Sequence, residues 1–117
     1  MINLDTEDLT YREEYLLGRH EITYIIKSNG VYKIGKSQLV NLRNRMYSFN
    51  LHNPSYEIIR IYNSNIEKLL HFKYKDNLLY SEWFEFTDQE LNDIDALSTD
   101  LEALEDLREA YVPKETN

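Results

Sequence analysis

Gly30 to Ser37 spell GVYKIGKS, a letter-for-letter match to the pattern G-x-x-x-x-G-K-[ST]. In a nucleotide-binding loop that pattern folds backbone N–H groups around phosphates at the start of a helix. Glu67 and His71 form a second grouping, four residues apart. On a helix this spacing puts a carboxylate and an imidazole on one side, where they could share a metal ion. Several cations lie within the first grouping or between the two, among them Lys33, Lys36, Arg43 and Arg45. Each of these chemistries needs a particular backbone, so the elements that carry the residues decide between them.

EITYIIK, from Glu21, is rich in β-branched and aromatic residues and reads as a strand. SNG follows as a turn signal, and VYKIGK is the returning strand of a β-hairpin. Leu39, Leu42, Met46 and Phe49 then fall on one helical face, and HNPS ends that helix. YEIIRIY, from Tyr56, is a third strand. NSNIEKLLHFKYK is a second core helix, with Asn63 or Ser64 expected as its cap. SEWFEF, from Ser81, is a short extended segment. Thr87 with Glu90 forms a capping-box signature that opens a long acidic helix to about Tyr111, and LSTD is a candidate break within it. Residues 5–17 read as a short helix ahead of the hairpin. The fold class is therefore α+β: a small mixed or antiparallel sheet built on an N-terminal hairpin and flanked by helices. Residues 1–20, 21–86 and 87–117 divide the chain into an N-terminal helix, a core domain and an acidic helical extension packed on it.

The hairpin rules against a phosphate loop. Val31, Tyr32, Lys33 and Ile34 lie between the two glycines, and three of these four types favour a pleated strand. A phosphate loop follows a buried strand of a parallel sheet, whereas this segment leaves a tight turn and must run antiparallel to the strand before it. YEIIRIY is the only later strand of suitable character, and it ends in Asn63, not a magnesium-binding aspartate.

Composition narrows the class of molecule. The chain has 117 residues, no cysteine and a net charge of −8. Disulfides and thiolate metal sites are excluded. No apolar run approaches the ~20 residues of a membrane helix, and the acidic start carries no secretory pattern, so an intracellular, cytoplasmic protein is expected. Ten tyrosines against three glycines do not suit disorder. Charge is unevenly spread. Residues 21–80 carry nine Lys and Arg against four acids, while residues 81–117 carry two against twelve. The basic middle segment suits nucleic acid, although the whole chain has a pI near 4.8.

The strand ending near a tyrosine, the short turn, the strand ending in Ile-Gly and the helix carrying an arginine together resemble the GIY-YIG nuclease superfamily. Ile22, Thr23 and Tyr24 correspond to its first motif, and Lys33, Ile34 and Gly35 to its second. Gly35-Lys36-Ser37, then Asn41-Leu42, then Arg45 continue the likeness, with a slightly longer gap before Asn-Leu. Glu67 matches the glutamate of a later helix, and EWFEF resembles the ending of a viral and bacteriophage branch whose second motif reads KIG. Ile22 stands where the family has its first glycine, Lys33 where most members have tyrosine, and Phe49 where many have histidine, with His52 nearby. Asn77 is the nearest candidate for the late asparagine of several members.

The resemblance implies a DNA endonuclease dependent on a single Mg²⁺ or Mn²⁺ ion. Glu67 would hold the ion, Arg45 would bind the phosphate, and Tyr24 would take up or position a proton of the attacking water. A phenol titrates near about 10, so Tyr24 needs positive charge beside it, which Lys33 would supply. Lys36, Arg43 and His71 are further candidates for nucleic-acid contact. Each residue also has a plain structural use: Tyr24 as a core aromatic, Lys33 as a solvated strand residue, Arg45 as cover for apolar surface, His71 as a boundary residue. Trp83 reads as core, with base stacking as its other use, and Tyr32 as packing. The leucine spacing of the acidic helix also permits a homodimer or a protein partner. Two other functions stay open: a non-catalytic relative that uses the hairpin as a nucleic-acid or protein interaction module, and a small-ligand or regulatory protein on the same scaffold.

Overall fold

A computed structural model describes residues 21–38, 41–42 and 55–111. The helix expected over residues 5–17, together with Arg43, Arg45, Phe49 and His52, lies outside them. Strand β1 (Glu21–Ser28) and strand β2 (Val31–Gln38) form the expected hairpin. Asn29 and Gly30 make its two-residue turn with φ of 53° and 81°. Two successive positive φ values define the turn whose twist matches that of paired strands, and Asn-Gly is the pair that adopts it most readily.

Strand β3 (Glu57–Tyr62) pairs with the outer side of β1. Helix α1 (Glu67–Lys73) and a 3₁₀ turn (Lys75–Asn77) follow. Strands β4 (Leu78–Tyr80) and β5 (Trp83–Phe84) make a second, very short hairpin. The result is one five-stranded sheet in the order β3-β1-β2-β5-β4, with antiparallel pairing throughout. β4 is an addition to the expected elements, since its three residues are all exposed and carry no alternation.

The GVYKIGKS segment is thus a strand from Val31 on, paired along its length with β1 and at Tyr32 and Lys33 with β5. Its N–H groups are committed to the sheet rather than turned toward a phosphate.

The acidic extension is two helices, α2 (Asp88–Leu97) and α3 (Leu101–Ala110), broken at Ser98–Asp100 as the LSTD signal indicates. Thr87 opens α2 with a complete capping box: its hydroxyl accepts the Glu90 N–H at 3.1 Å, and Glu90 Oε1 accepts the Thr87 N–H at 3.0 Å. Asn77 donates to Glu90 Oε2 and to the Glu85 carbonyl, both at 2.8 Å, so it ties the 3₁₀ turn to the start of α2. The Thr87 N–H, and after it Asn77, hold the Glu90 carboxyl below the usual carboxylate range.

The sheet is covered on both faces. On one, Ile25, Tyr32, Ile34, Tyr62 and Phe84 pack with Leu69 and Leu70 of α1, Leu91 and Ile94 of α2 and Leu104 of α3. On the other, Ile22, Tyr24, Ile26 and Ile61 pack with Leu42, which is helical with Asn41. Leu91, Ile94 and Leu104 of the acidic helices are therefore spent within the chain's own core, while Leu101 of the same stripe is 79% exposed. Among the described residues no helix is long and apolar enough to cross a membrane.

The cap of α1 is a correction. The helix begins at Glu67, and neither Asn63 nor Ser64 caps it with a side chain. Thr23 of β1 does the work from 43 residues away. Its hydroxyl accepts the Ile66 N–H at 2.8 Å and donates to the Ser64 carbonyl at 2.7 Å. Thr23 is fully buried, so an isosteric Val leaves two backbone groups unmet. Thr23→Val is expected to lower unfolding free energy by about 1–3 kcal/mol, read from the urea midpoint; an unchanged midpoint would mean that water replaces the hydroxyl.

Candidate functional site

Cross-strand partners in an antiparallel sheet share a face. Tyr24 is paired with Gly35, and Lys33 with Ile26 on one side and Trp83 on the other. A single row therefore crosses all five strands on the face shared with Tyr24: Ile58, Ile26, Lys33, Trp83 and Tyr80. Two of the four expected catalytic residues, Tyr24 and Lys33, are brought together by strand pairing alone.

Gly35 explains how Tyr24 lies. A β-carbon at Gly35 would come within 2.5 Å of Tyr24 Cζ and Oη. The phenol ring therefore lies across the neighbouring strand, in space that only glycine leaves open. Tyr24 is 2% exposed. It is core and candidate reactant at once, with the ring packed in the smaller cluster.

Lys33 Nζ lies 3.0 Å from Glu82 Oε1, and the Lys33 side chain is 23% exposed. Glu82, in the turn between β4 and β5, was not among the residues expected from the sequence. Its signal was its place as the first residue of EWFEF, directly before the strand that pairs with Lys33. The ion pair gives the lysine a carboxylate that an incoming phosphate would have to displace.

Glu67 occupies the first turn of α1, where a carboxylate also favours the helix dipole. Helix α1 packs on the opposite face through Leu69 and Leu70. Thr23 pins the start of the helix, and Thr23 is the strand partner of Lys36. Glu67 thus starts its helix at the Thr23–Lys36 end of the hairpin, while Leu69 and Leu70 further along cover the face opposite Tyr24 and Lys33. His71, one turn on, has Nε2 3.0 Å from the Ile34 carbonyl and its ring edge-on to Phe84 at 5.0 Å. It fastens α1 to β2. Lys36 is exposed on the same face as Thr23. Arg45 and Arg43 lie outside the described residues.

Among the described residues no group of three or more His, Asp or Glu could hold a metal ion. A single carboxylate such as Glu67 suits a magnesium-like ion, which keeps several waters and takes further oxygens from a phosphate. It does not suit an ion caged by protein ligands.

Trp83 is a second correction. It is half-buried, not core; Phe84 and Phe86 fill the interior instead. Trp83 meets Tyr56 edge-on at 5.7 Å and lines an open cleft of about 290 Å³ with Ser28, Asn29, Val31, Ser55 and Tyr80. Tyr32, on the other face, packs at 5.7 Å from Phe86 as expected.

A half-buried network lies outside the expected set. Tyr62 donates to Asp95 Oδ1 at 2.5 Å, and Arg60 Nε meets the same carboxylate at 3.1 and 3.2 Å. It docks α2 on β3. Burial, and next the Asp95 carboxylate, push the Tyr62 hydroxyl well above the ordinary phenol range.

The family model described as the T5orf172 domain matches residues 21–99 of the chain. The match takes in the whole sheet, α1 and α2, and ends before α3. No curated protein and no solved structure matches the chain.

Proposed function

The chain belongs to the T5orf172 domain family, which is related to GIY-YIG/HNH-like nuclease-type domains, and on that premise we propose that it is a divalent-metal-dependent DNA endonuclease of GIY-YIG type. The observation that supports the proposal is the placement of Tyr24 and Lys33 on one sheet face, two residues apart in register, with Gly35 making room for the phenol. Tyr24 Oη takes the proton of the water that attacks phosphorus. Lys33 stabilises the negative charge on that oxygen and, after leaving Glu82, neutralises a phosphate oxygen. Arg45 holds the phosphate by its planar fork. Lys36 and Arg43 contact the backbone away from the scissile bond. A Mg²⁺ or Mn²⁺ ion held by Glu67 would supply charge to the phosphate and the leaving oxygen. The basic middle segment supplies the long-range attraction to DNA.

A second reading, a DNA-binding module without cleavage, is favoured by one observation: α1, which carries Glu67, packs on the face opposite Tyr24. Plasmid cleavage decides between them. The nuclease requires Mg²⁺- or Mn²⁺-stimulated nicking that EDTA abolishes and that disappears in both Glu67→Ala and Arg45→Ala. Salt-sensitive DNA binding with no cleavage in either metal would leave the binding module.

A further inference from the structure

The cleft beside Trp83 combines aromatic rings with neutral polar groups. Tyr56, Tyr80 and Trp83 give it three aromatic rings, while Ser28, Asn29 and Ser55 line it with polar groups. The Ser28 and Ser55 hydroxyls face each other at 3.0 Å, and each keeps further hydrogen-bonding capacity. Its seven lining residues include no carboxylate and no charge. Aromatic faces with neutral donors and acceptors at the edge are what an unpaired nucleic-acid base requires. Trp83 and Tyr80 are strand partners, and Trp83 is the partner of Lys33, which lies two residues along β2 from the position opposite Tyr24.

The geometry points to this cleft as a stacking site for one unpaired base of a DNA strand whose phosphate lies on Lys33. The inference rests on the proposed action on DNA and adds the form of DNA selected: single-stranded or locally unpaired. Tyr80 is 58% exposed, so its ring is available to a base and its removal leaves the core intact. Trp83 is the chain's single tryptophan, so its fluorescence reports the cleft alone.

The test is done in EDTA, so that cleavage plays no part. A short oligothymidylate is expected to quench Trp83 fluorescence, and a blunt duplex of equal length is not. Tyr80→Ala is expected to weaken oligothymidylate binding about tenfold, at the level of one lost base–aromatic stack. The slope of affinity against salt should stay unchanged, because that slope counts phosphate contacts. Equal quenching by the duplex, or unchanged affinity in Tyr80→Ala, overturns the stacking site. Metal-dependent cleavage by the wild-type chain together with a silent Tyr80→Ala variant removes this inference and keeps the nuclease. Quenching and a Tyr80 effect without cleavage do the reverse.

Discussion

Gly35→Ala is expected to lower unfolding free energy by about 1–3 kcal/mol and to cut DNA cleavage about a hundredfold. The new methyl would sit 2.5 Å from the Tyr24 ring carbon and hydroxyl, well inside contact distance. Neither side can give easily: Gly35 lies inside the β1–β2 ladder, directly opposite Tyr24, and the Tyr24 ring is closed in by Ile22, Ile26, Leu42 and Ile61. The ring must tilt, which moves the hydroxyl from its place over Gly35. A double-mutant cycle isolates the clash. In a Tyr24→Ala background the methyl at position 35 meets empty space, so Gly35→Ala should then cost almost nothing. An equal cost in both backgrounds would trace the effect to strand propensity. Urea unfolding gives the first quantity and nicking rates give the second.

Asp95→Ala is expected to cost about 2 kcal/mol, the lower part of the range for charge-assisted hydrogen bonds because Asp95 is partly exposed. It strands the buried Tyr62 hydroxyl and unpairs Arg60. Tyr62→Phe should cost less, since it removes donor and desolvation penalty together. The network also sets an alkaline limit. Tyr62 holds its proton to higher pH in the folded chain than in the unfolded chain. Its contribution is therefore complete below about pH 10, the unfolded phenol value, and is lost as pH rises further. Tyr62→Phe should flatten the stability profile above pH 10, measured by thermal melts across that range; a slope matching wild type would assign the limit to other tyrosines.

What could be read in advance was local. Asn29-Gly30 between β-branched runs announces a hairpin because the turn conformation is decided by those two residues. Thr87 and Glu90 announce a helix start because both halves of the box lie within four residues. The break at Ser98–Asp100 was legible for the same reason: Asp100 accepts the Ala103 N–H at 3.0 Å and starts α3 anew. What escaped was long-range. Thr23 as the anchor of α1, Glu82 as the partner of Lys33 and Asp95 as the acceptor for Tyr62 join residues that no spacing rule connects. Trp83 was misjudged for a related reason: in a two-residue strand the side facing the core depends on the neighbour it pairs with, here Lys33. Within the candidate site, β1–β2 pairing made Tyr24 and Lys33 neighbours, as hairpin alternation requires. The position of Glu67 depended on how α1 docks, and the apolar stripe of a helix does not say which face of a sheet it will cover.

The larger core cluster runs from Ile25 to Leu104. On a ribosome the hairpin is among the first of the described elements to emerge, and an isolated two-stranded hairpin is only marginally stable in water. One of its faces then waits for α1, β5, α2 and α3. Tyr32 and Ile34 stay exposed until Phe84, Leu91 and Leu104 have been added. The last acidic turns, whatever they do in the finished molecule, close a surface that was open through most of the chain's synthesis, and the hazard they end is the sticking of one nascent hairpin to another.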